Sequence, residues 1–284
     1  MTTSESSDIP LVNIGITDIR EAHRLSEQQA WPHRPEDWQF LLETSQAIGA
    51  VCDGKLVGTA VLTPYGDAAA VCNMIIVDQA FRGLGLGRRL VERLLTTAGS
   101  RECRLVATLS GLPLYEKLGF VATGQIWQHQ GVVKAMHTTA KVVDATATAD
   151  LADVIALDTA ALGLDRTALM TKLIEEKPFV LVRDEHGLRG FASCRCFGRG
   201  VILGPIVARD DESFRTLLEA SIARHQGRFL RVDLTDAAST GIALVKEAGL
   251  VGVGGGIAMT RPGSQRPSSA AGACVYALAS QAFC

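Results

Sequence analysis

Along the chain, apolar and polar positions set out two rounds of similar elements. Residues Ile16 to Glu27 and Pro35 to Thr44 read as helices. The stretch "AIGAVCDGKLVGTAVLTPYGDAAAVCNMIIV", 47–77, reads as three strands with turns at "DGK" and "PYGD". Leu86, Leu90, Leu94 and Ala98 then recur every four residues, with Val91 and Leu95 beside them. That spacing makes one apolar helical face, and Arg88, Arg89, Glu92 and Arg93 lie off it. "CRLVATL" predicts a strand, "LPLYEKL" a short helix, and "FVATGQIWQHQGVVKAMH" a final pair of strands.

The order then restarts. Helical stretches over 148–176 precede strands within 178–211. A helix "SFRTLLEASIARH", a strand "FLRVDL", a helix "GIALVKEAGL" and a strand "VGVGGGIAM" follow. "LYEKLGFV" at 114–121 matches "LVKEAGLV" at 244–251, and "IIV" at 75–77 matches "PIV" at 205–207. Both matches share a shift of 130 residues, which points to a duplicated unit. The expected division is 10–138, 139–262 and a tail over 263–284, with the linker near Thr138 to Thr148. The tail, with "PGSQRPSSAAGA", reads as a mobile connection ending in a short apolar segment. The "GVGGGIAM" run reads as a strand in close backbone contact with a neighbour.

Between the third strand and the apolar helix stands "FRGLGLGRRL", 81–90. A glycine-rich turn from a strand into a helix offers unpaired N–H groups and the positive end of the helix dipole to phosphate oxygens. Glycine also permits positive φ and close backbone approach. The loop lacks the lysine and hydroxyl of a P-loop, and Arg88 stands where a dinucleotide fingerprint needs its third glycine. What remains is R-x-x-G-x-G: Arg82, Gly85 and Gly87.

That pattern resembles the acetyl-CoA loop of the GNAT acyltransferase superfamily, and "LPLYEKLGF", with Tyr115, is similar to the family's later motif. The resemblance covers roughly residues 10–138. It implies an α/β fold of the α+β GNAT type: two tandem domains, each a mixed, mostly antiparallel sheet flanked by helices. It further implies that Ile75 and Val77 pair with the pantetheine arm of acetyl-CoA. Arg82, Gly83, Leu84, Gly85, Leu86, Gly87 and Arg88 would hold the pyrophosphate, and Tyr115 would protonate the leaving thiolate. Near the cofactor's pantetheine or phosphate end many relatives carry an asparagine where this chain has Thr108, a cofactor contact whose hydroxyl can make one hydrogen bond but not both of an amide's. The acceptor is expected to be a small-molecule amine, which must attack in its neutral form although such amines have a pKa of about 10. A general base is therefore expected, and the sequence does not identify it. Trp31 and His33, between the first two helices, and Asn73, inside an apolar strand, are candidate acceptor contacts; His129 and His137 could also face the cleft.

The constant shift places Glu212, Arg215 and Leu217 opposite Arg82, Gly85 and Gly87, and Val245 opposite Tyr115. Carboxylates at Asp210, Asp211 and Glu212 would repel a pyrophosphate, and valine cannot donate a proton. The second copy is expected to be silent, kept either to shape the acceptor pocket or for structure alone.

Composition changes little in this picture. A net charge of −2 gives no footprint for nucleic acid or an anionic membrane, and no apolar run reaches the roughly 20 residues of a membrane span. The N-terminal "MTTSESSDIP" lacks the apolar core of a secretory signal. Seven scattered cysteines read as reduced thiols in a cytoplasmic setting, and Cys194 and Cys196 lack the companions a metal site needs. The expectation is an N-acetyltransferase that uses acetyl-CoA and no metal. The rivals are a non-catalytic acyl-CoA sensor and an enzyme for protein or peptide amines.

Overall fold

The computed structural model describes residues 9–145, 150–264 and 272–284. The polar N-terminus (1–8), part of the expected linker (146–149) and most of the Pro/Ser-rich run (265–271) lie outside the described residues.

The first half opens with β1 (Leu11–Ile14), α1 (Ile19–Gln28) and α2 (Pro35–Leu42). Next come β2 (Gln46–Cys52), β3 (Lys55–Tyr65) and β4 (Ala69–Val77), the three expected strands. They are followed by α3 (Leu86–Ala98), β5 (Glu102–Ala107), α4 (Leu112–Lys117) and β6 (Val121–Val132). On α3, Leu86, Leu90, Val91, Leu94 and Ala98 are fully buried, the face that the four-residue spacing predicts. Each of its large aliphatic side chains contributes about 2 kcal/mol of burial.

The second half repeats the order with β7 (Val143–Asp144), α5 (Leu151–Leu162), α6 (Thr167–Glu176), β8 (Val180–Asp184), β9 (Gly187–Phe197) and β10 (Gly200–Ala208). It continues with α7 (Asp211–Ala223), β11 (Phe229–Leu234), α8 (Ile242–Glu247), β12 (Val251–Arg261) and β13 (Cys274–Ala277).

The strands form one sheet in the order β1-β2-β3-β4-β5-β12-β6-β11-β13-β10-β9-β8-β7. The pairings are antiparallel except β4 with β5 and β10 with β11. One feature differs from expectation. "FVATGQIWQHQGVVKAMH" holds a single long strand, β6, because its partners come from the other half: β12 on one side and β11 on the other. β12 in turn lies between β5 and β6 of the first half. The glycines of β12 make this close approach possible: a Cβ on Gly255 would stand 1.8 Å from the Ile126 carbonyl oxygen, and one on Gly256 would stand 2.4 Å from the Val106 side chain.

The short apolar segment that ends the C-terminal stretch packs onto the sheet. β13 pairs with both β10 and β11, and Phe283 is buried against Phe40, ring centroids 5.6 Å apart.

Candidate active site

β4 and β5 run side by side only over Ala69–Val71 and Glu102–Arg104. Beyond that the two parallel strands separate, and β4 keeps β3 as its partner on one edge only. A bulge accompanies the split: Met74 and Ile75 together oppose Ala60, between the pairs Val61–Asn73 and Thr59–Ile76. Met74 takes φ +46, an uncommon conformation for a side-chain-bearing residue, and the Thr59 hydroxyl donates to its carbonyl at 2.8 Å. Strain of this kind concentrates at functional sites.

The separation opens into a cavity of about 800 Å³. The loop residues Arg82, Gly83, Gly85, Leu86 and Gly87 form part of its wall. Gly83 (φ +78) and Gly85 (φ +82) adopt left-handed backbone, and Gly85 is the residue before α3. The first N–H groups of α3 therefore have no carbonyl within the helix to accept them. Leu84 and Arg88 do not reach the wall. Leu84 is exposed, and the Arg88 side chain turns outward along α3 to Glu92, Nε to Oε1 at 2.7 Å.

Tyr115, Thr108, Ile75, Val77, Asn73, Trp31 and His33 all line the cavity. Tyr115 is 8% exposed, and burial pushes its phenol well above the ordinary value, so it stays protonated at any physiological pH. Gly111 leaves room for its ring, since a Cβ there would lie 2.8 Å from Tyr115 Cε2. The Thr108 hydroxyl is occupied locally, accepting from the Gly111 N–H at 3.3 Å and sharing a hydrogen bond with Ser110 at 3.1 Å.

His33 is held between Trp31 and Phe197, ring centroids 5.9 and 5.2 Å away. Burial, then the Arg231 guanidinium, pulls its pKa from 6.5 to about 4. Its Nδ1, the Asn73 Oδ1 and the Gln29 Nε2 are buried without hydrogen-bond partners. All three belong to residues of this one cavity. Buried polar atoms without partners are costly, and a ligand is one way to satisfy them. His129 is buried outside the cavity, because alternation along β6 turns Gln128 and Gln130 into it instead; His137 is exposed.

The sequence left open whether the second copy shapes the pocket and named no residue of the far wall. Phe197, Arg199 and Arg231 come from the second half, and Ser280, Gln281 and Ala282 from the C-terminal stretch. A trace of this was present in "FLRVDL", where Arg231 and Asp233 share one face of an apolar strand; they make a bidentate pair at 3.0 and 2.8 Å. Asp37 fixes the two walls to each other. It accepts from Arg34, from Arg195 at 3.4 Å and from the Gly198 N–H at 3.0 Å. Burial raises its pKa, but these partners hold it below the usual carboxylate value.

The second copy departs from the first at each corresponding place. Eight residues, 78–85, join β4 to α3, but only two, 209–210, join β10 to α7. The shift of 130 therefore fails at this helix. Asp210, not Arg215, is the counterpart of Gly85, and the glycine loop is deleted rather than replaced. The bulge survives as Gly204–Pro205 opposite Ser193, but proline has no N–H where Ile75 has one. The gap beyond it is filled by β13, with Tyr276 stacked on Phe214 at 4.2 Å and donating to Asp211 at 2.8 Å. Val245 stands fully buried at the place of Tyr115. Among the described residues, no group of three or more His, Cys, Asp or Glu is arranged to hold a metal, and no helix is long and apolar enough to cross a membrane.

Comparisons with known proteins bear on the fold and its lineage. Residues 16–120 match the model of the acetyltransferase (GNAT) family, and residues 154–272 match that of an acetyltransferase (GNAT) domain. An uncharacterised N-acetyltransferase of Bacillus subtilis, YitH, is 30% identical over 220 residues, 74% of this chain and 77% of that protein. A glucosamine 6-phosphate N-acetyltransferase of Trypanosoma brucei brucei is 37% identical over 78 residues, 24% of this chain and 53% of that protein. Among solved structures, a proposed acetyltransferase from Pyrococcus horikoshii has a TM-score of 0.81 at 18% identity, covering 97% of this chain and 96% of its own. A tandem GNAT protein from the clavulanic acid pathway has a TM-score of 0.61 at 15% identity, covering 89% and 98%. At such identities the structural likeness establishes the fold. The sequence matches add the lineage: this chain belongs to the GNAT family of N-acetyltransferases, with two GNAT domains in tandem.

Proposed function

We propose that the chain transfers an acetyl group from acetyl-CoA to the neutral amine of a small molecule bound between its two halves. One observation carries this reading: a single cavity gathers the glycine loop, the unpaired edge of β4, the Tyr115 phenol and three buried polar atoms without partners. Acetyl-CoA, when bound, supplies the activated acetyl carbon and the thiolate leaving group. Backbone N–H groups over Gly83 to Arg88 would hold its pyrophosphate, and the free edge of β4 at Ile75 and Val77 would pair with its pantetheine arm. Backbone N–H groups at the bulge would be the donors for charge developing on the carbonyl oxygen. Tyr115, kept protonated by burial, donates to the thiolate. His33, neutral above about pH 4, contacts the acceptor.

The reacting groups fall within 10–138, while 139–262 and the 263–284 stretch supply the opposite wall. The relative named for glucosamine 6-phosphate supports a small-molecule acceptor. A cytoplasmic setting belongs to the same proposal, in keeping with seven free cysteines.

The test is release of free thiol from acetyl-CoA across a panel of small amines, with wild type and Tyr115→Phe compared. Turnover is expected for at least one amine. The variant should lose about 10²- to 10⁴-fold in kcat while binding acetyl-CoA as before. Acetyl-CoA binding without turnover of any amine would contradict the reading, and full activity in Tyr115→Phe would remove the phenol as the acid.

A further inference from the structure

The charge of the cavity is one-sided. Among the described residues that line it there is no aspartate, glutamate or lysine; the charged groups there are the guanidiniums of Arg82, Arg199 and Arg231. Arg82 belongs to the glycine loop and donates to the Gln29 Oε1 at 2.6 Å. The other two come from the second half. Arg231 is 8% exposed and uses Nε and Nη2 on Asp233. Arg199 lies over the Phe229 ring, 5.3 Å from its centroid, and makes no ion pair among the described residues. The turn that carries it is anchored. The N–H of Gly198 donates to Asp37, and a Cβ on Gly198 would stand 2.8 Å from the Pro32 carbonyl oxygen, next to His33.

An ammonium group entering this space meets the guanidiniums of Arg199 and Arg231, the latter bound to Asp233 behind it, and a neutral imidazole, with no carboxylate among the described lining residues. An anion is the complementary charge. The unpartnered Oδ1 of Asn73, a residue 7% exposed, and the unpartnered Nδ1 of His33 can meanwhile engage a neutral amine or hydroxyl. We infer that the second half selects acceptors that carry a carboxylate or phosphate in addition to the amine, with Arg199 as the anion contact and Arg231 beside it. The inference rests on the acetyl-transfer reading and deepens it. The retained second copy thereby sets specificity, and the electropositive wall also favours the neutral, reactive form of the amine.

Paired acceptors test it, using the full chain and acetyl-CoA: glucosamine 6-phosphate against glucosamine for phosphate, and amino acids against their amides for carboxylate. In one of the two series the ionised member should show a kcat/KM about ten- to a hundredfold higher, the range of a charge-assisted hydrogen bond. Arg199→Met, which keeps the stem on Phe229, should abolish that ratio, and Arg199→Lys should keep part of it. Calorimetric affinity for acetyl-CoA should stay the same in both variants. Equal rates within both pairs, a ratio that persists in Arg199→Met, or a loss confined to acetyl-CoA binding would each overturn the inference. If no amine is acetylated, the acetyl-transfer reading fails separately. Calorimetric binding of the same paired compounds to wild type and Arg199→Met then reads the anion contact directly: selective binding lost in the variant upholds it, and no selective binding refutes it.

Discussion

His33 shows how one residue ties the two halves to chemistry. Its ring is held by Trp31 from the first half and Phe197 from the second, and Arg231 lies near enough to depress its pKa. The folded state holds the imidazole neutral down to about pH 4, whereas an unfolded chain protonates it near 6.5. Between those values the unfolded state binds more protons, so stability falls as pH drops through this window and is fully present above it. His33→Gln removes the titration. Urea unfolding at about pH 7 and about pH 5 should therefore show a smaller loss of stability on acidification in the variant than in wild type. Equal losses would mean that the folded His33 titrates like an exposed histidine. From sequence, His33 could be suspected only from its place between two helices; the reason it matters, Phe197 and Arg231 opposite, is separated from it by more than 150 residues.

At the scale of elements, period and punctuation made most helices and strands legible. The loop over 81–88 and the Tyr115 helix were readable because their chemistry is local: glycines at positive φ, an N-terminal helix turn, a ring beside Gly111. Pairing was not readable. Alternation marks β6 as a strand but does not say that its neighbours are β11 and β12. A constant shift of 130 likewise hid the shortened connection before α7, since the helix moved while β10 and α8 kept register. The loop's role can be measured. Gly83 has nothing within 4 Å of a built Cβ, so conformation alone, φ +78, constrains it. Gly83→Val should raise the Kd for acetyl-CoA about tenfold, because a β-branched residue resists left-handed backbone by roughly 1–2 kcal/mol. Calorimetry on wild type should give one acetyl-CoA per chain, because β13 fills the second gap and Pro205 removes a donor there. A stoichiometry of two would show that the plug is displaced.

For the whole molecule, the exchange of β6 and β12 means that neither half completes its own sheet. β12 separates β5 from β6, and β6 separates β12 from β11, so the central strands alternate in origin. Hydrogen-bond ladders of this kind, not the linker, hold the halves together. Arg34 and Asp37 on one side with Arg195 and Gly198 on the other add a polar clasp at the cavity. The segment around Thr138 and Thr139 is exposed and carries no strand pairing, so cutting it removes a covalent link while leaving every ladder intact. A protease site placed there and cleaved after folding should leave one particle by size exclusion, with acetyl-CoA affinity and thiol release close to those of the uncut chain. Separation into two species, or loss of binding on cleavage, would show that the linker, and not the shared sheet, maintains the cavity between the halves. Should the cut particle survive, the second copy is retained as a partner in folding as well as a wall of the site, and its own chemistry could be lost without cost to either role.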